Sequence, residues 1–171
     1  MLNIAGIVQD SIVDGPGIRV TIFAQGCPHH CTGCQNSETW NFQGGHSFSE
    51  DELFAIIQQN PLAKGVTFSG GEPFAQPEGF YQLAKRLKVH QYEVASYTGY
   101  TFEELLQGSA SQQQLLQQLD VLIDGRFIQE QKSLSLVFRG SKNQRILDLP
   151  ASLQAGKAIL HTAPRWQGIY E

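Results

Sequence analysis

The stretch GIRVTIFAQGCPHHCTGCQN, residues 17–36, joins an apolar run typical of a buried β-strand to a short polar loop. This loop holds every cysteine of the 171-residue chain, Cys27, Cys31 and Cys34, in the spacing C-x3-C-x2-C. An odd number of thiols at this density argues against a disulfide framework and for a metal site or a reactive cysteine. The sequence therefore predicts a strand that leads directly into a metal-binding loop.

Strand-like runs and helical patterns alternate after this loop, as in βα units around a mainly parallel sheet. Capping boxes predict two helix starts, one at Ser49 with Glu52 and one at Thr101 with Glu104. Apolar spacing predicts another helix over residues 77–90. The further predicted strands are KGVTFSGGEP (64–73), YEVASYTGY (92–100), VLID (121–124) and GKAILHT (156–162).

About five strands are too few to close an eight-stranded barrel, which takes ~250 residues. We therefore expect an α/β fold, an open partial (βα) barrel with a mainly parallel sheet, as a single domain over residues 1–171. Functional groups in such folds gather at the carboxyl ends of the strands, here the cysteine loop, SGGEP, YTGY and IDGRF. Residues 125–150 are expected to be irregular with a hairpin.

Composition and charge limit the classes of molecule that we expect this protein to bind. Hydrophobic residues make up 41% and charged residues 16% of the chain, as in globular proteins with a packed core. The formal net charge is −4 without any run of Lys and Arg, which argues against nucleic acid or an anionic membrane as partner. No apolar stretch reaches the ~20 residues of a membrane span, and the start lacks the features of a signal peptide. We therefore expect a cytoplasmic protein.

Three thiols on one loop leave more than one metal open. Zinc normally takes four ligands, so a zinc site would need His29, His30 or a residue from elsewhere, and His30 is the first candidate. Zinc knuckles, however, bring their ligands in two separated pairs, and ferredoxin-type clusters use four cysteines. A four-iron cluster on three thiolates would keep one iron open, as a catalytic site requires. Without a metal, both histidines are expected at an exposed loop tip.

The cysteine spacing after a strand, followed by GGEP at residues 70–73, resembles the radical S-adenosylmethionine (radical SAM) superfamily. Other segments resemble its glycyl-radical-enzyme activases, most of all those of anaerobic ribonucleoside-triphosphate reductase. These segments are VDGPGIR (13–19), CTGCQNSETW (31–40), YTGY (97–100), VLIDGRF (121–127) and FRGSKNQR (138–145). The resemblance therefore runs from about Val13 to Arg145.

The resemblance implies a 4Fe-4S cluster on the three cysteines, with the open iron chelating the amino and carboxylate groups of S-adenosylmethionine. A fourth thiolate would block that iron, which accounts for the count of three. The implied cofactor contacts are Gly70, Gly71, Glu72, Asn36, Thr98 and Asp124. The two glycines let the backbone approach a ligand closely, and the Glu72 carboxylate is available to an ammonium group.

A monovalent-cation site and a substrate contact are also implied. In related formate-lyase activases an Asp-Thr pair and a later Asp form a cation site beside the cofactor carboxylate. Thr98 and Asp124 match that site, whereas Tyr97 stands where the first Asp would be. Asp14 in VDGPGIR is implied as a contact to the substrate's glycine segment. The charged neighbours Asp124 and Arg126 are a further candidate pair at a strand end.

The implied activity is one-electron cleavage of S-adenosylmethionine and removal of a hydrogen atom from a glycine of the reductase. No residue beyond the cluster and cofactor is implied as catalytic. A flavodoxin- or ferredoxin-type protein is the implied electron donor. Two alternatives stay open: activation of a formate-lyase-type glycyl radical enzyme, and radical SAM chemistry on a small molecule.

Overall fold

The computed structural model describes residues 1–170, whose strands form one seven-stranded sheet. The strands are β1 (Leu2–Ser11), β2 (Arg19–Ala24), β3 (His46–Phe48), β4 (Gly65–Gly70), β5 (Glu93–Tyr97), β6 (Val121–Asp124) and β7 (Arg145–Asp148). They lie side by side in the order β3-β1-β2-β4-β5-β6-β7.

The centre of the sheet is parallel. Strands β2, β4, β5 and β6 run in one direction, whereas β1, β3 and β7 pair antiparallel at its two sides. The carboxyl ends of the four parallel strands therefore meet at one edge. Strands β3 and β7 each have one neighbour, so the sheet is open. The predicted α/β fold with a mainly parallel sheet is confirmed.

In the described part of the chain, five α-helices accompany the sheet: α1 (Glu50–Gln58), α2 (Pro77–Val89), α3 (Phe102–Leu106), α4 (Ala110–Gln117) and α5 (Leu149–Ala155). Both predicted capping boxes form, at Ser49 before α1 and at Thr101 before α3. Apolar helix faces pack on one side of the sheet, as where Phe80 of α2 meets Phe68 of β4 with ring centroids 4.7 Å apart. Within residues 1–170 no helix is both long and apolar enough to cross a membrane.

The C-terminal segment covers part of the other side of the sheet. The helical turn Pro164–Gln167 inserts Trp166, which is fully buried and clusters with Ala95 and Ile123. The Trp166 ring lies 5.4 Å from the guanidinium of Arg19, the first residue of β2, so this segment sits at the amino ends of the parallel strands. The carboxyl ends are left free for the site.

The sequence prediction omits β1. The pairing of β1 with β2 shifts register between Ile4 and Gly6 and again between Val8 and Ser11. Such bulges interrupt the alternation of apolar and polar side chains, which is the pattern that identifies a strand in a sequence.

The prediction for the last part of the chain is wrong in its elements. The final strand is β7, which pairs with β6, whereas the predicted strand 156–162 contributes only an isolated bridge between Leu160 and Leu147. Helix α5 is also absent from the prediction, although Asp148 caps its first turn through the N–H of Ala151. Gly156 ends α5 at φ +71°, so the residues after it begin in a turn rather than in a strand.

Candidate functional site

The cysteine loop leaves the carboxyl end of β2 and closes on itself. The N–H of Gly26 donates to the carbonyl of Thr39 at 2.6 Å, which joins the two ends of the loop. Cys27 is buried, the other two cysteines are half-buried, and all three thiols are free. All three line one cavity of about 500 Å³ at the carboxyl ends of the parallel strands. The predicted metal loop thus presents its three sulfurs to a common space.

Backbone N–H groups surround the sulfurs. Burial raises the pKa of the Cys27 and Cys31 thiols, and hydrogen bonds from the backbone of His29 and Phe127 oppose that rise. The N–H of Asn36 donates to the third sulfur at 3.4 Å. Metal coordination removes the thiol proton, and these donors then stabilise the thiolates.

The donor set fits an iron–sulfur cluster better than a single metal ion. Within residues 1–170, no three His, Cys, Asp or Glu side chains are placed to hold one metal ion. His29 is engaged at both ring nitrogens, by Glu72 at 2.7 Å and by Arg126 at 3.2 Å, and His30 stacks on Trp40. His29 is therefore not free to complete a zinc tetrahedron, and His30 does not form a group of three possible ligands with the cysteines in residues 1–170. In a cluster each cysteine binds a different iron, so three thiolates that line one cavity without converging on a single ion position suit three of its four irons.

The two glycines of SGGEP bring backbone against both the cavity and the cysteine loop. Gly70 has φ +92°, a conformation that a side chain would strain. The N–H of Gly71 donates to the carbonyl of Ala24 at 2.8 Å. A Cβ on Gly71 would lie 2.3 Å from the carbonyl oxygen of Gly26, the residue before the first cysteine. Both glycines line the cavity.

Glu72 does not line this cavity, although the sequence predicts that it meets a ligand. Its side chain is fully buried. The carboxylate accepts hydrogen bonds of 2.7–3.0 Å from the His29 ring, the Thr98 hydroxyl and the N–H groups of Phe74 and Gly99. The structure therefore surrounds this carboxylate with protein donors and leaves the glycine backbone, not the Glu72 side chain, facing the cavity.

Tyr97 and Thr98 both line the cavity at the end of β5. The Tyr97 hydroxyl donates to the carbonyl of Phe138 at 2.8 Å and so holds the segment after β6 against the sheet. Burial raises the pKa of Tyr97 well above its ordinary value, so this hydroxyl remains a donor. The residue that replaces the expected Asp therefore has a structural partner.

Asp124 is fully buried and lies outside this cavity. Its carboxylate binds Arg145 at 2.5 Å and accepts from the N–H of Phe102 at the start of α3 at 2.8 Å. Arg126, which the sequence suggests as its charged neighbour, instead donates to His29. The structure therefore does not bring Asp124 into the cation site expected with the YTGY motif.

Asn36 and Asp14 are both half-buried and line the same cavity as the cysteines. The Asp14 carboxylate accepts from the hydroxyls of Ser11 at 2.5 Å and Thr21 at 3.0 Å, which orients it. Asn36 follows the third cysteine, and its carbonyl accepts from the N–H of Thr39 at 2.8 Å. Both positions are accessible to a ligand in the cavity.

Sequence reasoning missed two contributions to the site. Residues between Phe127 and Gln144 supply a large part of the cavity wall, although the sequence analysis assigned no role to residues 128–137. His29 is expected at an exposed loop tip, but its side chain is only 4% exposed. A single polar residue between two cysteines gives no indication of a partner that is distant in sequence.

A family model and several proteins of one name match most of this chain. A family model described as a 4Fe-4S single cluster domain matches residues 13–147. The anaerobic ribonucleoside-triphosphate reductase-activating protein of Vibrio cholerae is 41% identical over 143 residues, 79% of this chain and 90% of that protein. The protein of the same name from Escherichia coli K12 is 36% identical over 78% of this chain and 90% of its own length. The one from Haemophilus influenzae is 37% identical over 85% of this chain and 97% of its own length.

Among solved structures, QueE from Escherichia coli matches 58% of this chain and 53% of its own chain, with a TM-score of 0.49 and 23% sequence identity. This partial match does not bear on the function of the chain. The curated relatives and the family model each cover most of the chain. The chain therefore belongs to the 4Fe-4S single cluster domain family and to the family of the anaerobic ribonucleoside-triphosphate reductase-activating proteins.

Proposed function

We propose that this protein is the activating enzyme of an anaerobic ribonucleoside-triphosphate reductase. The observation that carries the proposal is the single cavity shared by the three cysteines, Gly70, Gly71, Asn36 and Thr98. Relatives named for this activity match the chain over most of their own length, 90% for the protein of Vibrio cholerae. The proposal treats residues 1–171 as one domain that works in the cytoplasm.

The three cysteines would hold the cluster and leave its fourth iron to the amino and carboxylate groups of S-adenosylmethionine. A bound cluster, reduced by an external electron donor, would supply the one electron for cleavage of S-adenosylmethionine, and the bound cofactor would supply the chemistry that removes a hydrogen atom from a glycine of the reductase. The glycine pair of SGGEP admits the methionine end of the cofactor to the backbone, and Asn36 and Thr98 are further contacts. The chain positions the reactants and excludes water, and the reaction needs no acid–base residue from it.

The cavity is open on a side that suits a protein substrate. Leu134 is 91% exposed and Val13 is 71% exposed, and both line the cavity. Exposed apolar side chains at a cavity mouth are typical of a docking surface. We place the glycine segment of the reductase here, with Asp14 beside Val13 as a contact. A flavodoxin- or ferredoxin-type protein is the proposed electron donor, and neither nucleic acid nor a membrane takes part.

Anaerobic reconstitution with iron and sulfide tests the chemistry. We expect about four irons per chain, as one 4Fe-4S cluster requires, and 5'-deoxyadenosine once S-adenosylmethionine and a chemical reductant are added. One zinc per chain without cofactor cleavage would refute the proposal. Cleavage that leaves no radical in any reductase would favour a small-molecule substrate.

A further inference from the structure

One buried carboxylate connects three of the segments that line the cavity. Glu72 belongs to SGGEP and is fully buried. Its Oε1 atom accepts from His29 of the cysteine loop at 2.7 Å, and from the Thr98 hydroxyl at 2.9 Å and the Gly99 N–H at 2.7 Å in the YTGY segment. Its Oε2 atom accepts from the N–H of Phe74 at 3.0 Å. This one acceptor therefore joins side chains and backbone of all three segments, in addition to the backbone bonds that Gly71 and Glu72 donate to the carbonyls of Ala24 and Gly26 at 2.8 Å.

His29 is the only side chain of the cysteine loop in this group of donors. Its ring contacts the edge of Tyr100 with centroids 4.6 Å apart. A guanidinium can only donate, so Nδ1 accepts from Arg126 and Nε2 donates to Glu72. Both hydrogen bonds are satisfied only in this tautomer and orientation.

The backbone leaves space for this ring. A Cβ on Gly99 would lie 2.4 Å from Cδ2 of His29, closer than two such carbons approach. Gly99 does not have a positive φ, so it is not the left-handed backbone conformation that requires glycine here. The absence of a side chain at this position is therefore explained by the His29 ring, not by the turn.

We infer that His29 is a positioning residue that holds the cysteine loop in register with the cofactor-binding glycines through the Glu72 carboxylate. The inference rests on the proposed function, because the glycines bind a cofactor only under that proposal. Glu72 keeps three protein donors when His29 is replaced, so the fold should persist while the spacing between the two loops relaxes. The His29 side chain is not a ligand of the cluster, so cluster assembly should persist as well.

The test compares His29→Leu, which removes the donor, with His29→Gln, which keeps an N–H donor at a similar reach. His30→Asn is the matched control, since His30 is exposed and asparagine tolerates its φ of +50°. Three properties are measured for each variant. They are the iron and sulfide content, the affinity for S-adenosylmethionine by anaerobic calorimetry, and the electron paramagnetic resonance spectrum of the reduced cluster with and without S-adenosylmethionine. No reductase is present.

We expect His29→Leu to assemble its cluster and to bind S-adenosylmethionine about tenfold more weakly, as the loss of a hydrogen bond to a charged group predicts. The change that S-adenosylmethionine causes in the electron paramagnetic resonance spectrum of the cluster should become smaller as the affinity falls. His29→Gln should recover most of the affinity, and His30→Asn should match the wild-type protein. Wild-type affinity in His29→Leu, or equal loss in His29→Gln, would overturn the inference while leaving the proposed function intact.

Gly99→Ala provides a second, independent test, because it displaces the ring without removing it. The affinity should fall in Gly99→Ala alone, and adding this change to His29→Leu should cost little more, since the displaced ring is then absent. Additive losses would overturn the inference even if His29→Leu assembled its cluster poorly. Reconstituted wild-type protein that bound no S-adenosylmethionine would instead overturn the proposed function and the inference with it.

Discussion

Glu93 at the start of β5 holds a buried guanidinium, so Glu93→Gln should destabilise the protein strongly. Its Oε1 atom accepts from Arg19 at 2.9 Å, and the Arg19 side chain is only 2% exposed. Arg165 also binds Glu93, but its side chain is 48% exposed. Removing one partner of a buried ion pair costs about 3–5 kcal/mol, whereas removing an exposed partner costs about 1 kcal/mol or less.

The assay is urea unfolding of the cluster-free protein at pH 7, followed by tryptophan fluorescence, since Trp166 packs against Arg19. We expect Glu93→Gln to lower the free energy of unfolding by about 3 kcal/mol or more, and Arg165→Gln, the matched control, by about 1 kcal/mol or less. Equal losses in the two variants, or a loss under about 1 kcal/mol in Glu93→Gln, would contradict the reasoning.

The same pair gives a dependence on pH. Burial raises the pKa of Glu93, but the hydrogen bonds and charges of Arg165 and Arg19 outweigh burial and lower that pKa to about 2 from 4.5. Burial lowers the pKa of Arg19 despite its partner, yet a guanidinium stays charged over this range. The folded-state pKa of Glu93 is depressed, so its stabilisation is present above about pH 4.5 and is lost as pH falls toward 2. The wild-type protein should approach Glu93→Gln in stability across this window.

Further predictions concern the site. Replacing any of the three loop cysteines by Ala should abolish both the cluster and the cleavage of S-adenosylmethionine, and full iron content with cleavage in one such variant would refute the ligand assignment. Gly71→Val should reduce both the iron content and the affinity for S-adenosylmethionine, because its Cβ would lie 2.3 Å from the Gly26 carbonyl oxygen. Iron analysis and calorimetry measure the two effects, and wild-type values for both would contradict the close approach. Tyr97→Phe should lower the free energy of unfolding by about 1 kcal/mol, because it removes the hydrogen bond to the Phe138 carbonyl. Exchange of potassium for choline in the buffer should leave the cofactor affinity of the wild-type protein unchanged. A strong dependence of that affinity on potassium would show that a cation site exists.

Local patterns in the sequence predicted the framework of the site. The cysteine spacing, the glycines after β4 and the capping boxes at Ser49 and Thr101 are short-range features, and the structure has each where the pattern indicates. The parallel order of the central strands followed from the alternation with helices. These features depend on neighbours in the chain, so a sequence carries them directly.

Partners that are distant in sequence could not be predicted in this way. Asp124 binds Arg145 and Glu72 binds His29, and in both cases the partner was chosen by the tertiary fold from several equivalent side chains. Trp166 gave no pattern of its own, although it is fully buried. A charged residue shows its chemistry in the sequence, but only packing decides whether that charge meets a ligand or another residue.

The most direct test of the central claim is electron paramagnetic resonance of the reductase after incubation with this protein. The reconstituted protein, S-adenosylmethionine and a reductant are mixed anaerobically with the anaerobic ribonucleoside-triphosphate reductase of the same organism. We predict a stable glycyl radical doublet in the reductase that collapses toward a single line when the reductase is made with Cα-deuterated glycine. Active cleavage of S-adenosylmethionine without any glycyl radical in the reductase would contradict the account.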